Sequence, residues 1–387
     1  MNEAVIVSAV RTPIAKARGA LKDFHPSVYG ALVIKEALKR AGLQGEEVED
    51  VIFGNCLAGG GNMARLTLLE AGLPLSVPGI TIDRQCGSGI NAVALAAQAI
   101  QAGSADILIA GGTESMTRAP YLLAPPERAF DRNPPQFVRR RLSPDLIGDP
   151  PMGITAENLV ERYHISREEQ DQFAYESQQK MARAMKEGRF QEQIVSVQLK
   201  GKKGETILFD TDEHPRPETT MEALGKLPPV FKEGGTVTAG NSSGVNDGAC
   251  ALVIMSDREA DKRGLEPLAR ITHWAVAGVD PNIMGIGPVP ATQKVLKKAG
   301  LSLDDIDLIE INEAFAAQVL ACDRELHLDR SKVNVNGGAI AHGHPIAATG
   351  AMLVTKLVYE MKRRDVKRGL VTACIGGGQG IAVIVER

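Results

Sequence analysis

The feature that most constrains this chain is a strand–helix alternation that runs through it twice in the same order. Short β-branched runs alternate with longer amphipathic stretches, the pattern of an α/β fold whose helices cover a sheet. In the first half, strands are predicted at 5–10, 48–54, 80–83 and 106–112, with helices near 27–42, 62–72 and 90–103. In the last third, strands at 306–311, 333–337, 369–374 and 381–385 bracket helices near 313–322 and 345–364. Each series holds a strand that ends at a small-residue turn with a reactive side chain, DRQCGSG at 83–89 and GGAIAHGHPIAATG at 337–350. A long Ala-rich helix follows each turn, and then an apolar strand running into GGTES at 111–115 or CIGGGQG at 374–380. The repeated order predicts an internal duplication about a pseudo-two-fold axis. Two unrelated α/β units are the plainer alternative.

Between the halves the texture changes. Twelve of the 21 prolines fall between residues 117 and 230, together with the basic cluster at 139–141. One amphipathic helix is predicted there, at 166–188, with Ser166 and Glu169 as a capping box and Gly188 as its stop. The expected organisation is an N-terminal core half from 1–116 and 245–267, an inserted loop domain at 117–244, and a C-terminal core half at 268–387.

Composition excludes several function classes. A formal charge of −3 and 4% aromatics leave neither a basic footprint nor stacking platforms for nucleic acid. No apolar run reaches the ~18 residues of a membrane helix. The opening MNEAVIVSAV reads as a strand rather than a secretory leader, so a cytoplasmic location is expected. The five cysteines, at 56, 86, 250, 322 and 374, are odd in number and widely spaced, which suits a reducing compartment better than a disulfide scaffold. Two of them stand beside glycine clusters, and 40 glycines are more than a chain of this length usually carries.

Cys86 lies where a strand gives way to a helix, among Gly87, Ser88 and Gly89. Backbone N–H groups and the positive helix end there favour a thiolate, as for a nucleophile. A small buried hydrophobe at a tight turn is the other reading. His344 occupies the matching turn of the second half, before a helix that Pro345 starts well, and imidazole is the usual base for a thiol nucleophile. His342 makes an HxH pair with it, but no third ligand stands at sensible spacing, so a structural role is expected and no metal. Cys374 precedes glycines whose N–H groups could face a developing oxyanion. A phosphate-loop reading of GGGQG fails for want of a following helix and a lysine. Asn312, at a strand-to-helix junction, reads either as a helix N-cap or as an amide presented to a site.

These residues resemble those of the thiolases, the coenzyme A-dependent 3-ketoacyl-CoA thiolases and acetyl-CoA acetyltransferases. The resemblance runs over essentially the whole chain. It rests on VRTPIAK (10–16), CGSGINAV (86–93), MGITAENLVERYHISREEQD (152–171), VTAGNSSGVNDGA (237–249), GIGPVPA (285–291), NEAFAAQ (312–318), NVNGGAIAHGHP (334–345) and CIGGGQG (374–380). It implies a duplicated helix-sheet-helix-sheet-helix core and a homodimer or homotetramer. It also implies acyl-CoA, acetyl-CoA and CoA as substrates, with no permanently bound cofactor.

By the same resemblance Cys86 carries the acyl group, His344 takes its proton, and Cys374 exchanges a proton with the acetyl α-carbon. Asn312 and His344 would flank one oxyanion site, and the N–H groups of Cys86 and Gly376 the other. For CoA the resemblance points to Arg216, Ser243, Met152 and Met284; an ordinary solvated loop arginine is the alternative for Arg216. The sequence departs from the family pattern at Pro151, where many acetoacetyl-CoA-forming members carry histidine. It departs also at His342, Ala347 and Thr349, which leaves acyl-chain preference open between a broad-chain degradative enzyme and an acetyl-CoA acetyltransferase.

Overall fold

A computed structural model describes residues 2–58, 60–130, 133–201 and 203–387. The N-terminal half contributes β1 (Ala4–Arg11), α1 (Pro26–Ala41), β2 (Asp50–Gly54), α2 (Met63–Glu70), β3 (Gly79–Ile82), α3 (Ser88–Gln101), β4 (Ile107–Ser115) and β5 (Asn246–Ser256). Two longer helices stand between β4 and β5, α4 (Met152–Tyr163) and α5 (Arg167–Lys186). The C-terminal half adds β6 (Ala269–Gly278), α6 (Pro288–Ala299), β7 (Leu308–Ile311), α7 (Ala316–Leu326), α8 (Ile346–Arg364), β8 (Arg368–Ile375) and β9 (Gln379–Glu386).

The two halves share one topology. The first sheet runs β3-β2-β4-β5-β1 and the second β7-β8-β9-β6, with Val333 bridged in parallel to Ile309 at the outer side of β7. Counting that bridge as a vestigial strand, both read third-second-fourth-fifth-first. Antiparallel pairing of Ala4 with Ile271 and Ile6 with Ala269 joins them along β1 and β6.

Strand residues alternate between two cores, as a pleat of period two requires. On β1, Ala4 and Ile6 enter a central core with α3 and α8, while Val5 and Val10 face α1 and α2. On β9, Ile381, Val383 and Val385 enter the same central core, while Ala382 and Ile384 face α6 and α7. Five layers result, helix-sheet-helix-sheet-helix. Helices on both faces explain why these strands read as nearly unbroken apolar runs.

In the centre, α3 and α8 cross with almost no side chain between them. A Cβ on Gly89 would strike Ala351 N, and one on Gly350 would strike Ile90 N. This approach brings the N-termini of the two central helices, one from each half, to a single place.

The stretch between β4 and β5 holds more structure than the sequence predicts. Its capping box is present, with Ser166 Oγ accepting from Glu169 N and Glu169 Oε2 accepting from Ser166 N. The predicted helix ends at Lys186, two residues before Gly188. A second helix, α4, and the hairpins Leu122–Leu123/Phe137–Val138 and Val197–Lys200/Thr206–Phe209 escaped the sequence reading. The segment is tied to β1 by a buried ion pair, Arg11 Nη1 to Asp212 Oδ1 at 2.7 Å and Nη2 to Oδ2 at 2.9 Å. Among the described residues no helix is long and apolar enough to cross a membrane.

Candidate active site

The turn before α3 is strained where it matters. Gln85 has φ +45°, a left-handed conformation that costs a non-glycine residue roughly 1–3 kcal/mol. That twist lifts Cys86 out of the strand direction and leaves it half-buried. Ser88 Oγ secures the turn, accepting from Arg84 N at 2.9 Å and donating to Gln85 O at 2.7 Å.

Across the central layer, the turn before α8 presents His344. Its Nε2 lies 3.2 Å from Cys86 Sγ, a contact between residues 258 apart in sequence. Its Nδ1 lies 2.7 Å from Thr349 Oγ1, one turn into α8. Its backbone N–H donates to Asn246 Oδ1 at 2.9 Å, which fixes the loop from the β5 side. Asn246 was not singled out in the sequence, and Thr349 only as a departure from the family pattern, not as a partner of His344. The signal for Thr349 was its place five residues beyond His344, within reach of the ring once 346–364 is helical.

Asn312 Nδ2 lies 3.5 Å from His344 Nε2, and Asn312 Oδ1 is buried without a hydrogen-bond partner among the described residues. It is not a helix N-cap. α7 begins at Ala316 with Phe315 as its cap, because the preceding residues stay extended to pair Ser242 with Phe315. Cys374 is fully buried at the end of β8, in an apolar cluster with Met284 and Phe315 and with Met152 against it. The turn after it passes through Gly377 and Gly378 at φ +86° and +83°.

The electrostatics differ from the sequence expectation of a resting thiolate. Burial pushes the Cys86 thiol up to about 11, although the N–H groups of Gly376 and of Cys86 itself pull it down. Burial alone pushes His344 down to about 4. The pair therefore rests as thiol and neutral imidazole. Cys374 is also raised well above the ordinary thiol range, first by burial and then by Cys86.

The residues expected to meet CoA divide into two groups. Met152 and Met284 line the Cys374 cluster, and Ser243 N donates to Ala314 O at 2.9 Å on the strip beside Asn312. Arg216 is exposed on a loop, with its backbone N–H on Gln178 Oε1, and among the described residues no hydrogen bond links it to Cys86, His344, Asn312 or Cys374. His342 is buried; Nδ1 donates to Gly343 O at 2.8 Å, and Nε2 has no hydrogen-bond partner among the described residues. Burial, then Lys356 and Arg11, hold it well below the usual histidine range, so it stays neutral. Among the described residues no cluster of three or more His, Cys, Asp or Glu could hold a metal ion.

A duplicated α/β core with a thiol on one half and an imidazole on the other belongs to the thiol-dependent acyltransferases. The thiolase N-terminal domain matches residues 4–258 and the thiolase C-terminal domain residues 265–387. An acetyl-CoA acetyltransferase of Syntrophomonas wolfei subsp. wolfei is 51% identical, covering 100% of this chain and 99% of its own. One from Escherichia coli K12 is also 51% identical, with both chains fully covered. The crystal structure of Bacillus anthracis acetyl-CoA acetyltransferase superposes with a TM-score of 0.94 at 47% identity, covering 100% of this chain and 99% of that one. Human mitochondrial 3-ketoacyl-CoA thiolase superposes with a TM-score of 0.94 at 45% identity and the same coverage. The chain belongs to the thiolase family, and it is an acyltransferase with a CoA-dependent thiolase reaction.

Proposed function

We propose that this enzyme interconverts acyl-CoA plus acetyl-CoA with 3-ketoacyl-CoA plus CoA through an acyl group on Cys86. The observation that carries the reading is the 3.2 Å contact of His344 Nε2 with Cys86 Sγ. In condensation, Cys86 attacks the thioester carbonyl while its proton passes to His344 Nε2. CoA departs as a thiol, taking that proton. Cys374, its own proton first passed to His344, then removes the α-proton of acetyl-CoA, the resulting carbon attacks the acyl-enzyme, and the Cys86 thiolate leaves and takes the proton that His344 holds.

Cleavage reverses these steps, with Cys374 giving its proton to the departing carbanion. Burial keeps that thiol protonated, the form which this step uses. The N–H groups of Cys86 and Gly376, both directed at the thiol, suit one oxyanion site. Asn312 and His344 suit the other, the unpaired Asn312 Oδ1 leaving an acceptor for a water. One such donor is worth ~3–4 kcal/mol of barrier.

Met152 and Met284 are assigned to the pantetheine tunnel, Ser243 to the pantetheine and Arg216 to the adenine end. The two methionines are supported by the cluster around Cys374 together with the family resemblance, Ser243 and Arg216 by the resemblance. Pro151, ahead of α4, favours the broad-chain reading over one confined to acetoacetyl-CoA. Five unpaired cysteines support a reducing cytoplasm. The exposed Tyr121, Leu123 and Phe137 of one hairpin and the edge strand β3 support a homodimer or homotetramer.

Cys86→Ser and Cys374→Ala each abolish CoA-dependent cleavage of acetoacetyl-CoA, and only the Cys374 variant accumulates one acetyl group from acetyl-CoA by intact mass. Undiminished cleavage in the Cys86 variant overturns the mechanism. Assay across 3-ketoacyl-CoA chain lengths decides the acyl preference.

A further inference from the structure

Glu114, at the end of β4, is fully buried, and the reaction scheme above makes no use of it. Four N–H groups converge on its carboxylate. Oε1 accepts from Leu57 N at 3.1 Å and Asn55 Nδ2 at 3.1 Å. Oε2 accepts from Cys56 N at 3.0 Å and Ala347 N at 3.4 Å. These donors come from two places. Residues 55–57 lean on the Cys86 turn, with Cys56 Sγ 3.6 Å from Gln85 O and 3.5 Å from Ser88 Oγ. Ala347 belongs to the first turn of α8, three residues after His344. The carboxylate thus spans the seam between the two halves at the level of the reacting pair.

We propose that Glu114 is a positioning residue, its carboxylate acting as a clamp that holds the Cys86 turn and the His344 helix at their working separation. Both oxygens already face donors. A proton, or the NH₂ of an amide, on either oxygen must therefore oppose an N–H and release one side of the clamp. Burial pushes Glu114 up to about 7, against the pull of the Cys56, Leu57 and Ala347 N–H groups. The clamp is closed above that pH and loosened below it.

The charged and titratable groups facing it are few. Asp83 stands on the turn, with Arg140 near it. Cys56 stands in the 55–57 loop, and Arg140 also donates to its carbonyl. Tyr29 of α1 donates to the Glu114 carbonyl, and Cys86 feels its charge. His344, held near 4, does not titrate in the same range.

The inference rests on Cys86 as the nucleophile, so its test separates the two ideas. In the unmodified enzyme, hydrogen exchange of segments 55–58 and 346–348 is followed by mass spectrometry from pH 6 to pH 8. After correction for intrinsic exchange, protection of both segments rises together through about pH 7. Flat or unlinked protection overturns the clamp, whatever the role of Cys86. In Glu114→Gln the linked rise disappears. Its kcat falls roughly 10–100-fold, as expected for a misplaced nucleophile–base pair, while KM for CoA stays within about twofold. The pH profile of Cys86 alkylation by iodoacetamide loses its inflection near 7. A variant with unchanged kcat and an unchanged alkylation profile also overturns the proposal. If that variant does not fold, the exchange experiment on the unmodified enzyme decides alone. Failure of the Cys86 assignment itself is read from Cys86→Ser, which then retains cleavage while the linked protection persists.

Discussion

Gly89, the second residue of α3, and Gly350, the fifth of α8, each rest on the backbone of the other helix. Cys86 and His344 stand just ahead of these two helices. The spacing of the thiol and the imidazole is thus set where two glycines carry a hydrogen atom in place of a side chain. Gly89→Ala and Gly350→Ala are each expected to cost ~1–3 kcal/mol by overpacking. Each should also lower kcat by more than the loss of folded protein accounts for. Chemical denaturation and activity per folded molecule, measured side by side, check this.

Thr349 orients the base. Nδ1 lies 2.7 Å from Thr349 Oγ1, and the tautomer in which Nδ1 donates to that oxygen leaves the proton-accepting lone pair on Nε2, toward Cys86. Thr349→Val removes the acceptor with little change of shape, and kcat should fall roughly tenfold or more. Thr349→Ser keeps the oxygen and should retain most of the activity. Equal losses in both variants would mean that packing, not the hydroxyl, is what matters.

Acid sensitivity follows from buried imidazoles. His344 and His214 are each held at about 4, principally by burial. Depressed values mean that the unfolded chain binds protons first, so stability is lost as pH falls from the ordinary histidine value of 6.5 toward 4. Glu114 works in the opposite sense. Raised to about 7, it favours the folded state as pH falls from 7 toward 4.5. With His342, also held well below the usual histidine range, three losing groups outweigh the one gaining group, and the balance is a net loss. His344→Gln should flatten the decline in urea midpoints between pH 6.5 and pH 4, the window of its own shift.

The pair Arg11–Asp212 ties the segment between β4 and β5 to β1, with both side chains almost wholly out of solvent. Asp212→Ala strands the guanidinium and should cost about 3–5 kcal/mol, the usual result of breaking a buried pair from one side. Limited proteolysis should then cut first within 195–215, well before the central sheets open.

Much of this was legible in the sequence. The doubled order of strands and helices gave the architecture because local hydrophobic period and turn chemistry agreed with the tertiary arrangement. Cys86, His344 and Cys374 could be singled out as candidates because glycine-rich turns beside reactive side chains are rare, and the structure brings the first two to 3.2 Å. The third strand of the second half was not. Residues 333–337 carry an apolar alternation, but Asn334, at φ +42°, turns the chain after a single bridge at Val333. Asn312 was misjudged as a possible cap because the start of α7 is set by a partner strip some 70 residues away, at Ser242. The neutral resting state was hidden for a similar reason. Helix ends and N–H groups are visible locally, whereas the desolvation that outweighs them comes from the whole assembled core.

The 258 residues between Cys86 and His344 set a timetable for biosynthesis. At ~5–20 residues per second, the thiol leaves the ribosome roughly ten to fifty seconds before its imidazole. During that interval the nascent chain carries a cysteine without a base and lacks the Gly376 N–H beside it. On the proposed mechanism, a chain abandoned part-way has no imidazole beside Cys86 and is unable to load an acyl group that it could never pass on.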